Sequence, residues 1–162
     1  KPRQTHDLSS LRTILSTGSP LSPTSFEYVY RDIKQDVCLS SISGGTDIIA
    51  CFMLGNPTLP VYAGEIQCLG LGMAAEFWDA GRRCPAGVTG ELVCTRPFPS
   101  VPIGFWNDPQ GHRFHQAYFA QHPGIWTHGD YGELTHNGGA VIHGRSDAVL
   151  NPSGVQIGRA HV

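Results

Sequence analysis

A tetrapeptide rich in glycine, Gly44-Gly45-Thr46-Asp47, follows a run of strand-forming residues in this chain of 162 residues. The two glycines allow the backbone to approach a ligand closely, and the hydroxyl of Thr46 can donate to a phosphate oxygen. The carboxylate of Asp47 can hold a Mg²⁺ ion bound to that phosphate. The same residue types also form tight turns, in which Thr and Asp side chains bond to their own backbone. The tetrapeptide alone leaves a phosphate site and a simple turn both open.

Two further polar residues come directly after glycines: Asp130 follows Gly129, and Arg145 follows Gly144. A carboxylate at the end of a strand can accept hydrogen bonds from both hydroxyls of a ribose. An arginine offers a fork of donors that suits a phosphate or ribose oxygen. Asp130 is equally typical of a β-turn, and Arg145 of an exposed ion pair that contributes little. Neither residue decides the question by itself.

One apparent nucleotide motif has the wrong context. Residues 70–75 have the form G-x-G-x-x-A of a dinucleotide fingerprint, but the residues after them read as a strand and a turn. Without a following helix there is no helix N-terminus to bind a pyrophosphate, so we interpret this segment as a loop between strands. The five cysteines form no Cys-x-x-Cys pair, which indicates reduced, buried thiols in a cytoplasmic protein.

Charge and hydropathy exclude several classes of partner. The formal net charge is −2, and no block of Lys and Arg could follow a nucleic-acid backbone or an anionic membrane. The longest apolar run, residues 48–54, is far too short to span a bilayer, and the first residues do not resemble a signal peptide. The charged fraction of 15% is low against the roughly 25% of typical globular domains. A segment covered by the rest of a larger protein and a mildly polar single domain both fit that value.

The first fifty residues predict a βαβ unit. Residues 11–15 and 37–42 read as strands, and between them Ser22-Pro23 gives a helix start signal followed by an apolar stripe that ends near Gln35. Two strands joined by a helix should lie parallel in one sheet. The loops at their carboxyl ends, residues 18–20 and 43–47, then occupy the edge where such sheets bind ligands.

After residue 47 the pattern changes to short strands and turns. Residues 64–69, 73–78 and 91–95 read as strands, and residues 132–135 pair with 140–143 across Asn137-Gly138-Gly139 in a hairpin. One short helix is possible at residues 114–121. The expected fold is therefore α/β plus β, a partial parallel βαβ sheet followed by a small antiparallel, barrel-like sheet.

Taken together, the motifs resemble those of the acyl-adenylate-forming superfamily, which contains acyl-CoA synthetases, luciferases and peptide-synthetase adenylation domains. The resemblance covers nearly the whole chain, and its motifs occur in the family's order: Gly18-Ser19-Pro20, Gly44-Gly45-Thr46-Asp47, Gly90-Glu91-Leu92, Gly104-Phe105-Trp106-Asn107-Asp108, Thr127-His128-Gly129-Asp130, Gly144-Arg145-Ser146-Asp147 and Leu150-Asn151-Pro152-Ser153-Gly154. Residues 41–47 and 118–126 look most like the members that activate acetoacetate. The resemblance implies ATP, Mg²⁺ and CoA as cofactor and substrates.

The resemblance also implies a role for individual residues. Gly18, Ser19 and Pro20 would line the adenine, Thr46 would hydrogen-bond the α-phosphate, and Asp47 would replace the usual Glu that holds Mg²⁺. Gly45 would also belong to the nucleotide-binding residues. Asp130 would bind the ribose hydroxyls with Arg145 beside it. Asp147 would be the hinge of a small C-terminal domain, and Ser153 and Gly154 would turn toward CoA. Thr46, Asp47 and Arg145 are the expected catalytic residues.

Gly44 gives an expectation about the size of the acid substrate. Acetyl-CoA synthetases are similar to this chain but have a Trp at the matching position, which closes the acyl pocket. A glycine would leave that volume open for a short acid longer than acetate, such as acetoacetate. Alternatively, Gly44 is present only for its backbone freedom.

The chain also departs from the family. The Ser/Thr/Gly-rich loop for the β- and γ-phosphates and the C-terminal Lys are not in these residues, Gln156 stands where relatives often have Arg, and residues 158–162 diverge. We therefore expect an internal fragment, inactive alone, of an ATP-dependent acid–CoA ligase whose remaining N- and C-terminal parts are its partners. Residues 1–52 would end the AMP-binding α/β subdomain, 53–146 would form the barrel-like subdomain, and 147–162 the hinge. A non-catalytic nucleotide-binding or interaction module is the alternative, and an amino acid or aryl acid substrate is a third possibility.

Overall fold

The computed structural model describes residues 1–146, and within them the expected βαβ unit is present. A short helix α1 (Pro2–Thr5) precedes strand β1 (Thr13–Ser16), which pairs in parallel with β2 (Cys38–Ser41). The register places Thr13 opposite Cys38 and Ser16 opposite Ser41. The prediction of two parallel strands is confirmed. Asp147, Ser153 and Gly154 lie outside the described residues, so their expected roles stay predictions.

The connection between these strands is helical, and its start signal is confirmed. Helix α2 (Pro23–Tyr28) begins after Ser22, whose side chain accepts a hydrogen bond of 3.3 Å from the backbone N–H of Ser25. A π-helical segment, Val29–Ile33, continues it, and Lys34 is its C-cap, close to the predicted end. The helix presents its apolar stripe to the strands, and the resulting small cluster contains the buried side chains of Phe26, Val29, Val37 and Leu39.

The next three strands form an antiparallel sheet in the order β3-β4-β5. Strand β3 (Ser43–Gly45) pairs with β4 (Ala50–Leu54), which pairs with β5 (Cys68–Leu69). The glycines at 44 and 45 were expected in a loop, but they belong to β3 because their backbone pairs with Cys51 and Ala50. Strand β4 continues across the predicted division between residues 52 and 53, which stays a prediction.

A second antiparallel sheet has five strands in the order β10-β9-β8-β6-β7. Its strands and the helix α3 between β8 and β9 have the bounds β6 Ala75–Asp79, β7 Arg82–Arg83, β8 Gly90–Cys94, α3 His112–Tyr118, β9 Trp126–Leu134 and β10 Ala140–Arg145. The hairpin predicted from Asn137-Gly138-Gly139 is the β9–β10 connection. The antiparallel half of the predicted fold is confirmed.

A backbone bridge connects the segment before β5 to β10. Ile66 and Ala140 exchange backbone hydrogen bonds of 2.8 and 2.9 Å, so residues 64–69 form a bridge and the short β5 instead of the single strand expected. Between the sheets lies the larger apolar cluster, whose fully buried members include Phe52, Met53, Phe77 and Leu92. Residues 70–72 form the expected turn without a helix. In the part of the chain that the structure describes, no helix is long and apolar enough to cross a membrane.

Candidate active site

A cavity of about 670 Å³ opens where the carboxyl ends of β1 and β2 meet strands β3, β9 and β10. Most of the residues singled out in the sequence line it: Gly18, Ser19, Pro20, Gly44, Gly45, Thr46, Asp130 and Arg145. They come from four separate parts of the chain, residues 18–20, 44–46, 130 and 145, which the fold brings together. Asp47 is the exception, because it does not line the cavity and its carboxylate is directed at Tyr118.

The turn after β1 forms one wall. Gly18 has a φ of +90°, a backbone conformation that residues with a side chain rarely adopt, and it lets the chain leave β1 sharply. Ser19 and Pro20 then lie along the cavity before the helix starts at Pro23. The position agrees with the rule that open parallel sheets bind ligands beyond the carboxyl ends of their strands.

Strand β3 approaches the backbone of β4 too closely for a side chain at Gly44, and a side chain at Gly45 would require the side chains around it to shift. A Cβ at Gly44 would overlap the carbonyl oxygen of Ala50 and lie 2.7 Å from the Cα of Cys51. A Cβ at Gly45 would overlap Oδ1 of Asp47 and lie 2.9 Å from Cε1 of His128. The side-chain direction at Gly44 points at the backbone of β4, so packing alone accounts for this glycine, and its acyl-pocket role stays a prediction.

Asp130 is held by two neighbours. Its Oδ2 accepts a 3.2 Å hydrogen bond from the hydroxyl of Ser43, and its Oδ1 lies 3.1 Å from a guanidinium nitrogen of Arg145. Asp130 is 8% exposed and lies within β9, so it is not a turn residue. The side chain of Arg145 is 14% exposed, which also distinguishes this pair from a surface ion pair.

The pairing of Asp130 with Arg145 follows from the register of the hairpin. The two residues face each other across β9 and β10, and a shift in the register between Ile142 and Gly144 sets this alignment. Side chains directly opposite on antiparallel strands lie close enough to interact. The bulge therefore gives the cavity a carboxylate that a guanidinium already orients.

The carboxylate of Asp47 has two donors. The backbone N–H of Ile48 donates to Oδ1 at 3.0 Å, and the hydroxyl of Tyr118 donates to Oδ2 at 2.7 Å. Burial, and after it the hydrogen bond to Asp47, raises the pKa of Tyr118, so the hydroxyl stays protonated as the donor. The local bond to Ile48 is of the kind expected in a turn, whereas the bond to Tyr118 joins two distant parts of the chain.

Whether Asp47 suits Mg²⁺ can be judged from the donors around it. Among residues 1–146 there is no group of three or more His, Cys, Asp or Glu side chains that could hold a metal. Mg²⁺ in nucleotide sites is commonly bound by one or two carboxylates, with phosphate oxygens and water completing its shell. A single carboxylate beside Thr46 fits an ion that arrives with a nucleotide.

No site role was predicted from the sequence for three aromatic side chains, Tyr118, Trp126 and His128. Tyr118 stacks on Trp126 with ring centroids 3.7 Å apart, and the Trp126 indole N–H donates to Nδ1 of His128 at 3.4 Å. Nε2 of His128 lies 4.0 Å from Oδ2 of Asp130. Trp126, His128 and Asp130 alternate along β9, and that period of two was the available signal that they share a face.

Glu91 supports the same strand from the other side. Its carboxylate accepts a 2.9 Å hydrogen bond from the backbone N–H of Gly129, the residue before Asp130. Burial raises the pKa of Glu91, and hydrogen bonds from Ser146 and Gly129 oppose that shift. Glu91 belongs to the Gly90-Glu91-Leu92 motif and was not predicted as a site residue.

The described residues thus combine a parallel βαβ edge, two antiparallel sheets and a cavity lined by most of the predicted residues. No protein-family model matches the chain. The solved structure of acetoacetyl-CoA synthetase from Streptomyces lividans superposes with a TM-score of 0.82 at 46% identity, over 97% of this chain and 24% of that one. The expected fold class is thereby confirmed.

Curated proteins agree with the structural match. Acetoacetyl-coenzyme A synthetase from Rhizobium meliloti is 59% identical over 161 residues, which is 99% of this chain and 25% of that protein. Acetoacetyl-CoA synthetase from Mus musculus is 55% identical over 163 residues, 100% of this chain and 24% of that protein. The chain is thus homologous over its length to one part of the acetoacetyl-CoA synthetases, and it spans about a quarter of the length of these relatives.

Proposed function

We propose that this chain forms the adenylate-binding part of an ATP-dependent acid–CoA ligase. The observation that supports it most is the cavity, where the turn at Gly18, the Gly45-Thr46 backbone and the Asp130–Arg145 pair meet. Those groups suit an adenine, an α-phosphate and a ribose in that order. The names of the relatives favour acetoacetate as the acid.

The reaction has two steps. A carboxylate oxygen of the acid attacks the α-phosphorus of ATP, an acyl–phosphate bond forms, and pyrophosphate leaves. The thiolate of CoA then attacks the acyl carbonyl carbon and AMP leaves. Bound Mg²⁺ would offset negative charge on the phosphates, and positioning with charge neutralisation supplies much of the rate in such reactions.

Each residue of the site has a defined task in this proposal. Ribose hydroxyls donate to the carboxylate of Asp130, whose orientation Ser43 and Arg145 fix. The Thr46 hydroxyl donates to an α-phosphate oxygen, and Asp47 would ligate the Mg²⁺ ion. By family resemblance, Asp147 would be the hinge, and Ser153 and Gly154 would belong to the segment that turns toward CoA.

The carboxylate of Asp130 provides the direct test. Titration calorimetry with AMP, and with ATP plus Mg²⁺, should show binding that D130A weakens by about 10-fold or more, because hydrogen bonds to a charged group contribute about 1.5–3 kcal/mol. D130N keeps the shape of the side chain, and should weaken binding by a smaller factor. D36A removes an exposed carboxylate and serves as the matched control. Nucleotide affinity that D130A and D36A leave equally unchanged would contradict the proposal.

The activity of the isolated polypeptide is a separate question. We expect no acetoacetate-dependent release of pyrophosphate from these 162 residues, because the loop for the outer phosphates and the C-terminal Lys are not among them. Measurable release would contradict that expectation. Nucleotide binding without release in any longer form of the protein would favour the alternative, a non-catalytic binding module.

A further inference from the structure

Tyr118 links the end of α3 to the candidate Mg²⁺ ligand. Its hydroxyl donates to Oδ2 of Asp47 at 2.7 Å, across 71 residues of sequence. That distance lies within the range of O–H···O bonds to a charged acceptor, which are among the stronger hydrogen bonds in proteins. The helix that carries Tyr118 is thereby connected to the loop that follows β3.

The ring of Tyr118 is itself fixed in place. It stacks on Trp126 with an angle of 14° between the planes and a centroid distance of 3.7 Å. Trp126 is 2% exposed and packs edge-on against Phe98 and Phe114. Because Trp126 belongs to β9, the hydroxyl of Tyr118 has a set position relative to Asp130 on the same strand.

The start of α3 is fastened as well. Arg113 donates to the carbonyl oxygens of Trp106 and Asn107 at 2.6 and 2.9 Å, and the backbone N–H of Phe114 donates to Asp108 at 2.9 Å. These bonds tie the helix to the loop before it. The helix that carries Tyr118 is therefore held in place by hydrogen bonds at its start.

The two donors to Asp47 leave room for a cation. An ionised carboxylate offers about four lone-pair sites, and the bonds from Ile48 and Tyr118 use one on each oxygen. The carboxylate lies against Gly45, which lines the cavity. A carboxylate held by such donors meets an incoming ion in one orientation, and losing an outer partner of a metal ligand typically costs about 10–100-fold in metal affinity.

We propose that Tyr118 is a positioning residue that orients Asp47 for the divalent cation that accompanies the nucleotide. The proposal rests on the proposed function, since it concerns the same site. Tyr118 acts through Asp47 and touches neither nucleotide nor ion. Its removal should therefore affect cation-dependent binding and leave the rest of the nucleotide site unchanged.

The test compares ATP affinity with and without Mg²⁺ in the full chain. In Y118F the gain in affinity from Mg²⁺ should fall about 10-fold, while Mg²⁺-free ATP and AMP bind within about twofold of wild type. D47N should abolish the gain, and Y118F should add nothing to D47N. Y131F is the matched control, because the Tyr131 hydroxyl contacts Thr89 at 3.0 Å on the exposed side of β9.

Two outcomes would overturn the role of Tyr118: an unchanged Mg²⁺ gain in Y118F, or a larger one. If Y118F fails to fold, W126F keeps the hydroxyl and loosens its support, and an unchanged Mg²⁺ gain in W126F would also contradict the proposal. ATP titrations separate the failures of the two proposals. No ATP binding by the wild-type chain, with or without Mg²⁺, would contradict both. ATP binding that D130A weakens, together with a Mg²⁺ gain that Y118F leaves unchanged, would contradict the role of Tyr118 and support the proposed function.

Discussion

The hydroxyl of Ser43 donates a 3.2 Å hydrogen bond to Oδ2 of Asp130, and the two residues are 87 positions apart in sequence. The bond joins β3, in the three-stranded sheet, to β9, in the five-stranded sheet. Ser43 and Asp130 are both 8% exposed, so water has little access to this contact. With Arg145 on the other oxygen, the carboxylate is oriented before any ligand arrives.

Removing that hydroxyl should weaken nucleotide binding. S43A should lower AMP affinity by roughly fivefold and the free energy of unfolding by about 1 kcal/mol, because a typical hydrogen bond contributes that much. Calorimetry and urea unfolding measure the two quantities. S10A removes an exposed hydroxyl and controls for the substitution itself. If S43A and S10A bind AMP equally well, Ser43 does not orient Asp130 for the ligand.

The close approach of β3 to β4 predicts an unusual cost at Gly44. G44A should lower the free energy of unfolding by about 3 kcal/mol, because the overlapping atoms are backbone atoms of β4 that cannot rotate away. G81A is the comparison, since Gly81 has a φ of +76° and open space around it and should cost only about 1 kcal/mol. If G44A and G81A lower the free energy of unfolding equally in urea, then β4 shifts to make room for the added methyl group.

Glu91 should give a pH-dependent difference in stability. Burial raises its pKa in the folded protein, so the stabilising contribution is complete below the unfolded pKa of about 4.3 and is lost as the pH rises through the folded value. Gln can still accept from Gly129 and does not ionise. E91Q should therefore gain stability relative to wild type as the pH rises above about 4.3, by less than about 1 kcal/mol because the side chain is only partly buried and therefore screened.

The comparison needs a control for net charge. E27Q removes one exposed carboxylate from α2 and changes the charge by the same amount. Urea unfolding at several pH values measures all three proteins. The raised pKa of Glu91 would be contradicted if the difference in free energy of unfolding between E91Q and wild type does not change with pH. It would also be contradicted if E27Q shows the same difference.

Cys51 should report on occupancy of the cavity. It lines the cavity opposite Gly44, and burial raises its pKa, so its thiol should react with iodoacetamide more slowly than a free cysteine. Saturating AMP should slow the modification of Cys51 further, roughly twofold or more, and by a larger factor than that of Cys38, which lies outside the cavity. Mass spectrometry of the peptides distinguishes the two thiols. Equal protection of both would indicate a general effect on stability instead of a bound ligand.

The elements that the sequence predicted well are those with local causes. The helix start at Ser22-Pro23, the parallel pairing across it and the hairpin at Asn137-Gly138-Gly139 each follow from neighbouring residues. Strand β3 was missed because glycines have low strand propensity, and only pairing with β4 makes Gly44 and Gly45 extended.

The sequence predicted which residues belong to the site better than it predicted their contacts. Glycines beside polar residues marked Thr46, Asp130 and Arg145, and the fold brings them to one cavity. The partners of Asp47 and Asp130 could not be read in the same way, because Tyr118 and Ser43 reach them across 71 and 87 residues. Such contacts depend on the register of β9 and the placement of α3, which no local pattern encodes.

The cavity lies between two apolar clusters that can unfold independently of each other. Leu21 packs on the small cluster around Phe26, Ile66 belongs to the large one, and both line the cavity. The small cluster buries less apolar surface than the large one. It should therefore unfold first under mild denaturation. A nucleotide seated between the clusters loses its site when either one opens, and its binding therefore couples them into one cooperative unit. The resistance of residues 1–42 to proteolysis should then rise with the nucleotide concentration around the protein.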